Sequence, residues 1–434
     1  KRFLSIAMAA SFAMLFNAQQ IKFEEYDLPN GLHVILHQDN SAPVVTTSVM
    51  YHVGAKDEAA GRTGFAHFFE HLLFEGTKNI KRGEWFKLVS SNGGSNNANT
   101  SPDRTYYYET FPSNNEQLGL WMEAERLRHP VINQIGVDTQ REVVKEEKRL
   151  RMDNQPYGGL FNAILTTLFK KHPYKGTVIG SMEDLNSAKL EEFNAFFKKY
   201  YIPNNATLVV AGDIKPEQTK KWINEYFGSI PKGTPVTRNF PKETPITQEF
   251  EETVYDANIQ IPAYIFAYRT PAGNERDTYI LSMLGSYLSK GKSSVLYKKL
   301  VDNEKKALAV EAFNLGLVDH SIFAFFAIPM GNTSKDVLKK DIDAEIKKLQ
   351  TDLISEEDYQ KLQNQMENNF VNANSSVEGI ANTLADSYLL KGNTNLINEE
   401  INIYRSITRE DLRNAARKYL NSDQRAIINY LPKK

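Results

Sequence analysis

"KLEEFNAFFKKYYIPNNATLVVAGD", residues 189–213, reads as an amphipathic helix, a Pro-Asn-Asn break and a β-branched strand. "TREDLRNAARKYLNSDQRAIINYLP", residues 408–432, has the same order of helix, polar break and strand. Lys199-Tyr200 aligns with Lys418-Tyr419, and Ala206-Thr207-Leu208-Val209 with Arg425-Ala426-Ile427-Ile428, an offset of 219 residues (419 − 200). In a chain of 434 residues that offset is about half the length, the mark of an internal repeat. The expectation is α+β: two homologous domains, each an antiparallel-rich sheet with helices packed on one face.

Between the repeats, "SIPKGTPVTRNFPKETPITQ" (229–248) is rich in Pro, Thr and charge and has no helical period, as an interdomain linker would. The domains are therefore expected at 19–228 and 249–434. In the first, "KFEEYDLPNGLHVILHQD" is a hairpin turning at Pro29-Asn30-Gly31, and "VVTTSVMYHVG" is a further strand. Helical patterns follow at 63–76, 83–92, 115–129 and 138–170.

The net charge is −1, so no basic excess points to nucleic acid or an anionic membrane. Without cysteine there are no disulfides, no thiolate metal ligands and no thiol catalysis. The segment "KRFLSIAMAASFAMLFNAQQ" opens with Lys1 and Arg2 and then runs uncharged from Phe3 to Phe16. An apolar run of about 14 residues is short for a bilayer span and fits a secretory signal over residues 1–18. Export to the periplasm or another extracytoplasmic space is expected, with membrane tethering if the signal is retained.

Chemistry concentrates in "GFAHFFEHLLFEGT", residues 64–77. On a helix, His67 and His71 leave the same face one turn apart, about 6 Å between Cβ atoms. Both imidazoles then reach one ion at about 2.0–2.1 Å, as zinc requires. Glu70 borders that site and can contact a water rather than the metal. Two core histidines bonded to backbone carbonyls would be the plain packing alternative. H-x-x-E-H is scarcer than that: with 8 histidines in the chain it arises by chance in about one such sequence per hundred. It is the inverted-zincin arrangement.

A third ligand is expected. The other histidines show no paired spacing, but "TQREVVKEEKRL" places Val143, Val144, Glu147 and Leu150 on one helical stripe, with Glu147 near its centre. A carboxylate there needs a partner, and a metal would serve. Gln140, seven residues earlier, shares that face and could support a ligand from behind.

Taken together, these stretches resemble the pitrilysin or insulinase family of zinc metallopeptidases. The half-length branch, with mitochondrial processing peptidase and bacterial zinc proteases, is the nearest in kind. The resemblance spans essentially the whole chain after residue 18. It includes "LFEGT", "GGSNNANTSPDRTYYYE", "HPYKGTVIGSMEDL" and "NATLVVAGD", and a glutamate 76 residues after the second histidine (147 − 71). It implies one zinc ion held by His67, His71 and Glu147, with Glu70 as general base. It also implies a substrate-binding edge strand at Asn97-Ala98 that pairs with the peptide backbone. The activity implied is zinc-dependent endopeptidase action on unfolded or short peptides.

Two positions depart from the family pattern. Gln140 stands where relatives often carry a glutamate. Val301 and Leu308 stand where an Arg/Tyr pair from the C-terminal domain completes the site, and neither can donate to an oxyanion. The expectation is a catalytic subunit whose homologous partner supplies that pair in a heterodimer, with a homodimer as the alternative. Other roles in keeping with the resemblance are a non-catalytic, peptide-binding subunit and a dedicated precursor-processing protease.

Overall fold

The computed structural model describes residues 20–433; the expected signal segment lies outside the described residues. The first half forms six strands: β1 (Glu24–Asp27), β2 (His33–Gln38), β3 (Val44–Tyr51), β4 (Ser95–Thr100), β5 (Thr105–Pro112) and β6 (Ala206–Gly212). The second forms five: β7 (Phe250–Asp256), β8 (Ala263–Thr270), β9 (Ala307–Leu315), β10 (Ser321–Pro329) and β11 (Arg425–Pro432). Their orders are β1-β2-β6-β3-β5-β4 and β7-β11-β8-β10-β9. In each sheet the last strand of the half inserts between a parallel and an antiparallel neighbour. Thr207 pairs with His33 and Met50; Ala426, at the same 219-residue offset (426 − 207), pairs with Phe250 and Ala267. The repeat read from one helix–strand unit thus extends across both sheets.

Local chemistry explains the β1–β2 turn. Gly31 has φ +85°, and a Cβ there would stand 2.7 Å from the Asn204 Cβ, so only glycine closes this hairpin beside the 203–205 turn.

The strand "ATLVVAG" of β6 is buried at every residue, because both faces of its sheet are covered. The helices Glu116–Arg128, Leu190–Tyr200 and Pro216–Phe227 pack on the face bearing Val34, Val49, Tyr107, Leu208 and Val210. The opposite face, bearing Ile35, Met50, Val209 and Ala211, is covered from the second half by the helix Val377–Leu389 through Ile380, Ala381, Leu384 and Ala385. The exchange is reciprocal. Helix Leu160–Leu168 of the first half lays Ala163, Ile164, Leu165 and Leu168 on Ile265, Ala267, Ile322 and Ile428 of the second sheet. Each half's own helices do lie on one face, as expected; the remaining face is closed by its partner. Each large apolar side chain so buried contributes about 1.5–3 kcal/mol.

The single helical pattern at 138–170 is two helices. Gln134–Lys148 begins at Asn133, whose Oδ1 accepts from the Gly136 N–H at 2.9 Å, and widens into a π-turn at Arg149–Asp153. Tyr157 then takes φ +61°, and a Cβ on Gly158 would stand 2.3 Å from the Met152 carbonyl oxygen. This corner redirects the chain so that Leu160–Leu168 crosses to the other sheet.

Residues 229–248 contain almost no regular structure but are pinned down. Arg238 pairs with Asp57 at 2.7 Å, and one oxygen of Glu243 accepts from the backbone N–H groups of Lys170, Lys171 and His172.

A buried clasp joins the halves. The Lys56 ammonium lies 2.8 Å from Asp103 of the first half and 2.9 Å from Asp319 of the second. Tyr174 donates to Asp103 at 2.6 Å and accepts from the Asp319 N–H at 3.1 Å. Replacing Lys56 by Met leaves two carboxylates facing each other without a cation. We expect about 3 kcal/mol of destabilisation in urea unfolding, the low end for a broken buried pair because Asp319 is about a third exposed.

Candidate metal centre

The helix Phe65–Leu72 carries the first two candidate ligands. Its entry is held by backbone and by charge. Gly64 takes φ +90° with Ile179 and Gly180 packed so closely that a Cβ would stand 2.7 Å from a carbonyl oxygen. Both oxygens of half-buried Glu58 accept from the first free N–H groups, Gly64 and Ala66, at 2.9 Å each. Phe65 and Phe69 stack on Phe193 and Phe196 with ring centroids 4.5 and 5.4 Å apart. Packing on that side turns His67, Glu70 and His71 to the other, into a cavity of about 590 Å³.

Glu147, near the end of the helix Gln134–Lys148, reaches the same cavity. Its Oε2 lies 3.0 Å from His71 Nε2 and 3.5 Å from His67 Nε2. The three side chains each offer a ligand atom, all within 4.8 Å of one another. Tetrahedral ligation at about 2.05 Å separates ligand atoms by about 3.3 Å, so this spacing suits one zinc ion. The donors, two imidazole nitrogens and a carboxylate oxygen, form a set that zinc accepts.

The protonation states fit as well. Burial, then the neighbouring His71, lowers the His67 pKa to about 4, so near neutral pH it is an uncharged ligand. The bond from His71 outweighs burial and holds the Glu147 carboxyl below its ordinary range, hence ionised. His67 Nδ1 is buried and, among the described residues, has no hydrogen-bond partner. Arg151 holds Glu147 Oε1 at 3.0 Å, leaving Oε2 for the centre of the trio. Burial raises the Glu70 pKa, the Thr100 hydroxyl opposing it by a bond of 2.6 Å to Glu70 Oε2.

The helix face that buries Glu147 differs from the expected stripe. Val137 and Val144 are its buried apolar residues, whereas Val143 and Leu150 are 43% and 56% exposed. Gln140 does sit inside, but its Nε2 donates to Glu75 Oε1 at 2.5 Å and makes no bond to His67, His71 or Glu147. Seven residues of helix put it about 10 Å along the axis from Glu147, level with Glu75 rather than with the trio.

Asn97 and Ala98 line the cavity on β4, which among the described residues pairs only with β5 and so leaves one edge open. Val301 packs against the core of the second half, Leu308 is about half exposed at the start of β9, and neither lines the cavity. Sequence reasoning passed over Glu58, Thr100 and Arg151. For Thr100 the signal was present: it lies two residues beyond Ala98, on the same side of an alternating strand.

Residues 33–181, which contain all four motif residues, match the family described as Insulinase (Peptidase family M16). Residues 187–366 match one described as Peptidase M16 inactive domain. The zinc protease PqqE of Helicobacter pylori is 31% identical to this chain over 99% of it and 98% of that protein. The Arabidopsis thaliana protein named "Probable mitochondrial-processing peptidase subunit beta" is 24% identical, over 78% of this chain and 65% of its own length. The crystal structure of a protease from Helicobacter pylori superposes with a TM-score of 0.88 at 30% identity, covering 94% of this chain and 99% of that one.

Glu147→Ala should weaken zinc binding by more than about 100-fold in competition titrations, exceeding the loss typical of a residue that merely backs a ligand. Gln140→Ala, which removes no contact to the trio, should leave affinity within about 3-fold.

Proposed function

The chain belongs to the insulinase family of peptidases, family M16, and from that membership we propose that it is a zinc-dependent endopeptidase acting on extended peptide segments. The observation that carries this reading is the convergence of His67, His71 and Glu147 beside Glu70, in a cavity walled by an open strand edge.

A zinc ion bound by that trio supplies Lewis acidity, polarising a peptide carbonyl and acidifying water. The rest falls to this chain's own groups. The free edge of β4 offers N–H and C=O groups to a peptide laid alongside it, so recognition is by main chain and tolerant of side chains. Glu70 takes a proton from the attacking water and returns it to the amide nitrogen as the C–N bond breaks. Burial raises its pKa, which favours holding the proton that it then hands on.

Among the described residues, Arg151 is the one lysine or arginine that lines the cavity, and no tyrosine lines it. Arg151 pairs with Glu147, whereas Val301 and Leu308, which stand in the sequence where a donor pair is expected, do not line the cavity. A homologous partner subunit would supply that pair, making this chain the catalytic half of a heterodimer. The match of the second half to a domain described as inactive accords with a half that carries no motif of its own. The same description favours a second reading, a peptide-binding subunit without turnover, against which stand the four intact motif residues. Export is proposed from the N-terminal segment alone.

Glu70→Gln should keep zinc stoichiometry and lower peptide hydrolysis by about 100- to 10,000-fold, the range of general acid–base catalysis. Near-wild-type turnover in that variant would remove the base from the scheme. The chain purified alone should hydrolyse peptides weakly, and addition of the homologous partner should restore the rate. Full activity as a monomer or homodimer would refute the two-chain arrangement.

A further inference from the structure

Taking the zinc-peptidase reading as given, we propose that Thr100 is the positioning residue that sets the general base, tying the orientation of Glu70 to the strand on which substrate docks. On β4, Ser95, Asn97 and Asn99 are exposed, whereas Asn96, Ala98 and Thr100 are half-buried and face inward. Thr100 is the last of these, and its Oγ1 donates to Glu70 Oε2 at 2.6 Å. That is a short, charge-assisted bond.

The bond divides the labour of the carboxylate. Oε2 accepts from Thr100, while among the described residues nothing donates to Oε1, and Glu70 lines the cavity. A glutamate with one oxygen tied presents the other in a single direction, and proton abstraction needs a base held within about 2.6–3.2 Å of its proton. Threonine suits the task because its branched Cβ restricts χ1 in a strand, so the hydroxyl itself is well placed. A second bond keeps strand and helix in register: the Tyr107 hydroxyl, opposite Ala98 on β5, donates to the Phe69 carbonyl at 2.9 Å.

A buried acid satisfied by a neighbouring hydroxyl would account for the bond alone. The position of Thr100 goes further. It lines both the metal-centre cavity and an adjoining one of about 540 Å³ that runs between the two halves. A peptide added to β4 and extending across both cavities lies over Thr100. The strand that sets the substrate's register is then the strand that aims the base.

The test compares Thr100→Val and Thr100→Ser with wild type, each in the assembly in which the chain purifies from its source cells. Thr100→Ala serves where valine lowers the melting temperature. Readouts are kcat and KM on a fluorogenic peptide, zinc content, and peptide affinity of the metal-free protein. Valine should lower kcat about 10- to 100-fold, as misplacement of a catalytic group by about 1 Å does. KM, zinc content and metal-free peptide affinity should stay within about 2-fold, and serine should recover kcat to within about 3-fold of wild type. A kcat for valine within 2-fold of wild type overturns the proposal. So does a loss confined to KM and peptide affinity, which makes Thr100 a substrate contact, and so does a serine variant no better than valine. Glu70→Gln separates the two levels. If wild type turns over, Glu70→Gln does not and Thr100→Val does, positioning alone fails; if wild type hydrolyses nothing, the peptidase reading fails and takes this role with it.

Discussion

Neither sheet can bury both of its faces with helices from its own half. Each half builds one face, and the other is closed by a helix lent from across the chain, Val377–Leu389 in one direction and Leu160–Leu168 in the other. A bare face bearing Ile35, Met50, Val209 and Ala211 would expose apolar area whose burial drives folding. The two halves are thereby committed to each other. The cavity beside His67, His71 and Glu147 is walled by first-half residues, β4 and the 160–168 helix among them, and it adjoins a second cavity that lies where the halves meet. The clasp of Lys56 with Asp103 and Asp319 holds that junction from one side.

The centre itself is a balance of burial against charge. Two imidazoles and two carboxylates crowd a half-buried space, where an unpaired charge is costly. The cost is met in opposite senses on neighbouring groups: His67 is driven neutral, Glu147 is held ionised by its histidine neighbour, and Glu70 is pushed upward by desolvation. One set of surroundings thus yields a neutral imidazole, an ionised carboxylate and a second carboxyl whose pKa is raised. Rigidity comes from outside the set, through the Glu58 cap, the phenylalanine stacks and the strand-to-helix bonds of Tyr107 and Thr100.

Much of this was legible in one dimension. The H-x-x-E-H turn needs only helical spacing, and the structure places its three polar side chains as that spacing implies. Glu147 was found, but by a stripe that is only partly the buried one: Val144 faces inward and Val143 and Leu150 face out. Periodicity located the right turn of helix while misjudging which flank is packed, because a stripe's hydrophobic residues do not say what stands opposite. Gln140 illustrates the same limit. It is inside, on the expected helix, yet answers to Glu75, a residue whose proximity depends on how two helices cross. The break at 149–159 was hidden by apolar periodicity on both sides of it. Its cause is a backbone corner at Tyr157 and Gly158, imposed by the destination of the next helix.

By itself the amino-acid sequence determined the repeat, the strand or helix character of the segments that carry it, and a candidate trio beside Glu70, since all follow from spacings set by 3.6 and 2 residues per period. What covers each sheet, what holds each candidate ligand and what bonds to Glu70 were decided only by tertiary structure. Those are contacts between residues tens to hundreds of positions apart, and their pairing depends on the crossing of packed elements rather than on any local period. The hydroxyl of Thr100 on the carboxylate of Glu70, thirty residues apart in sequence, is such a contact.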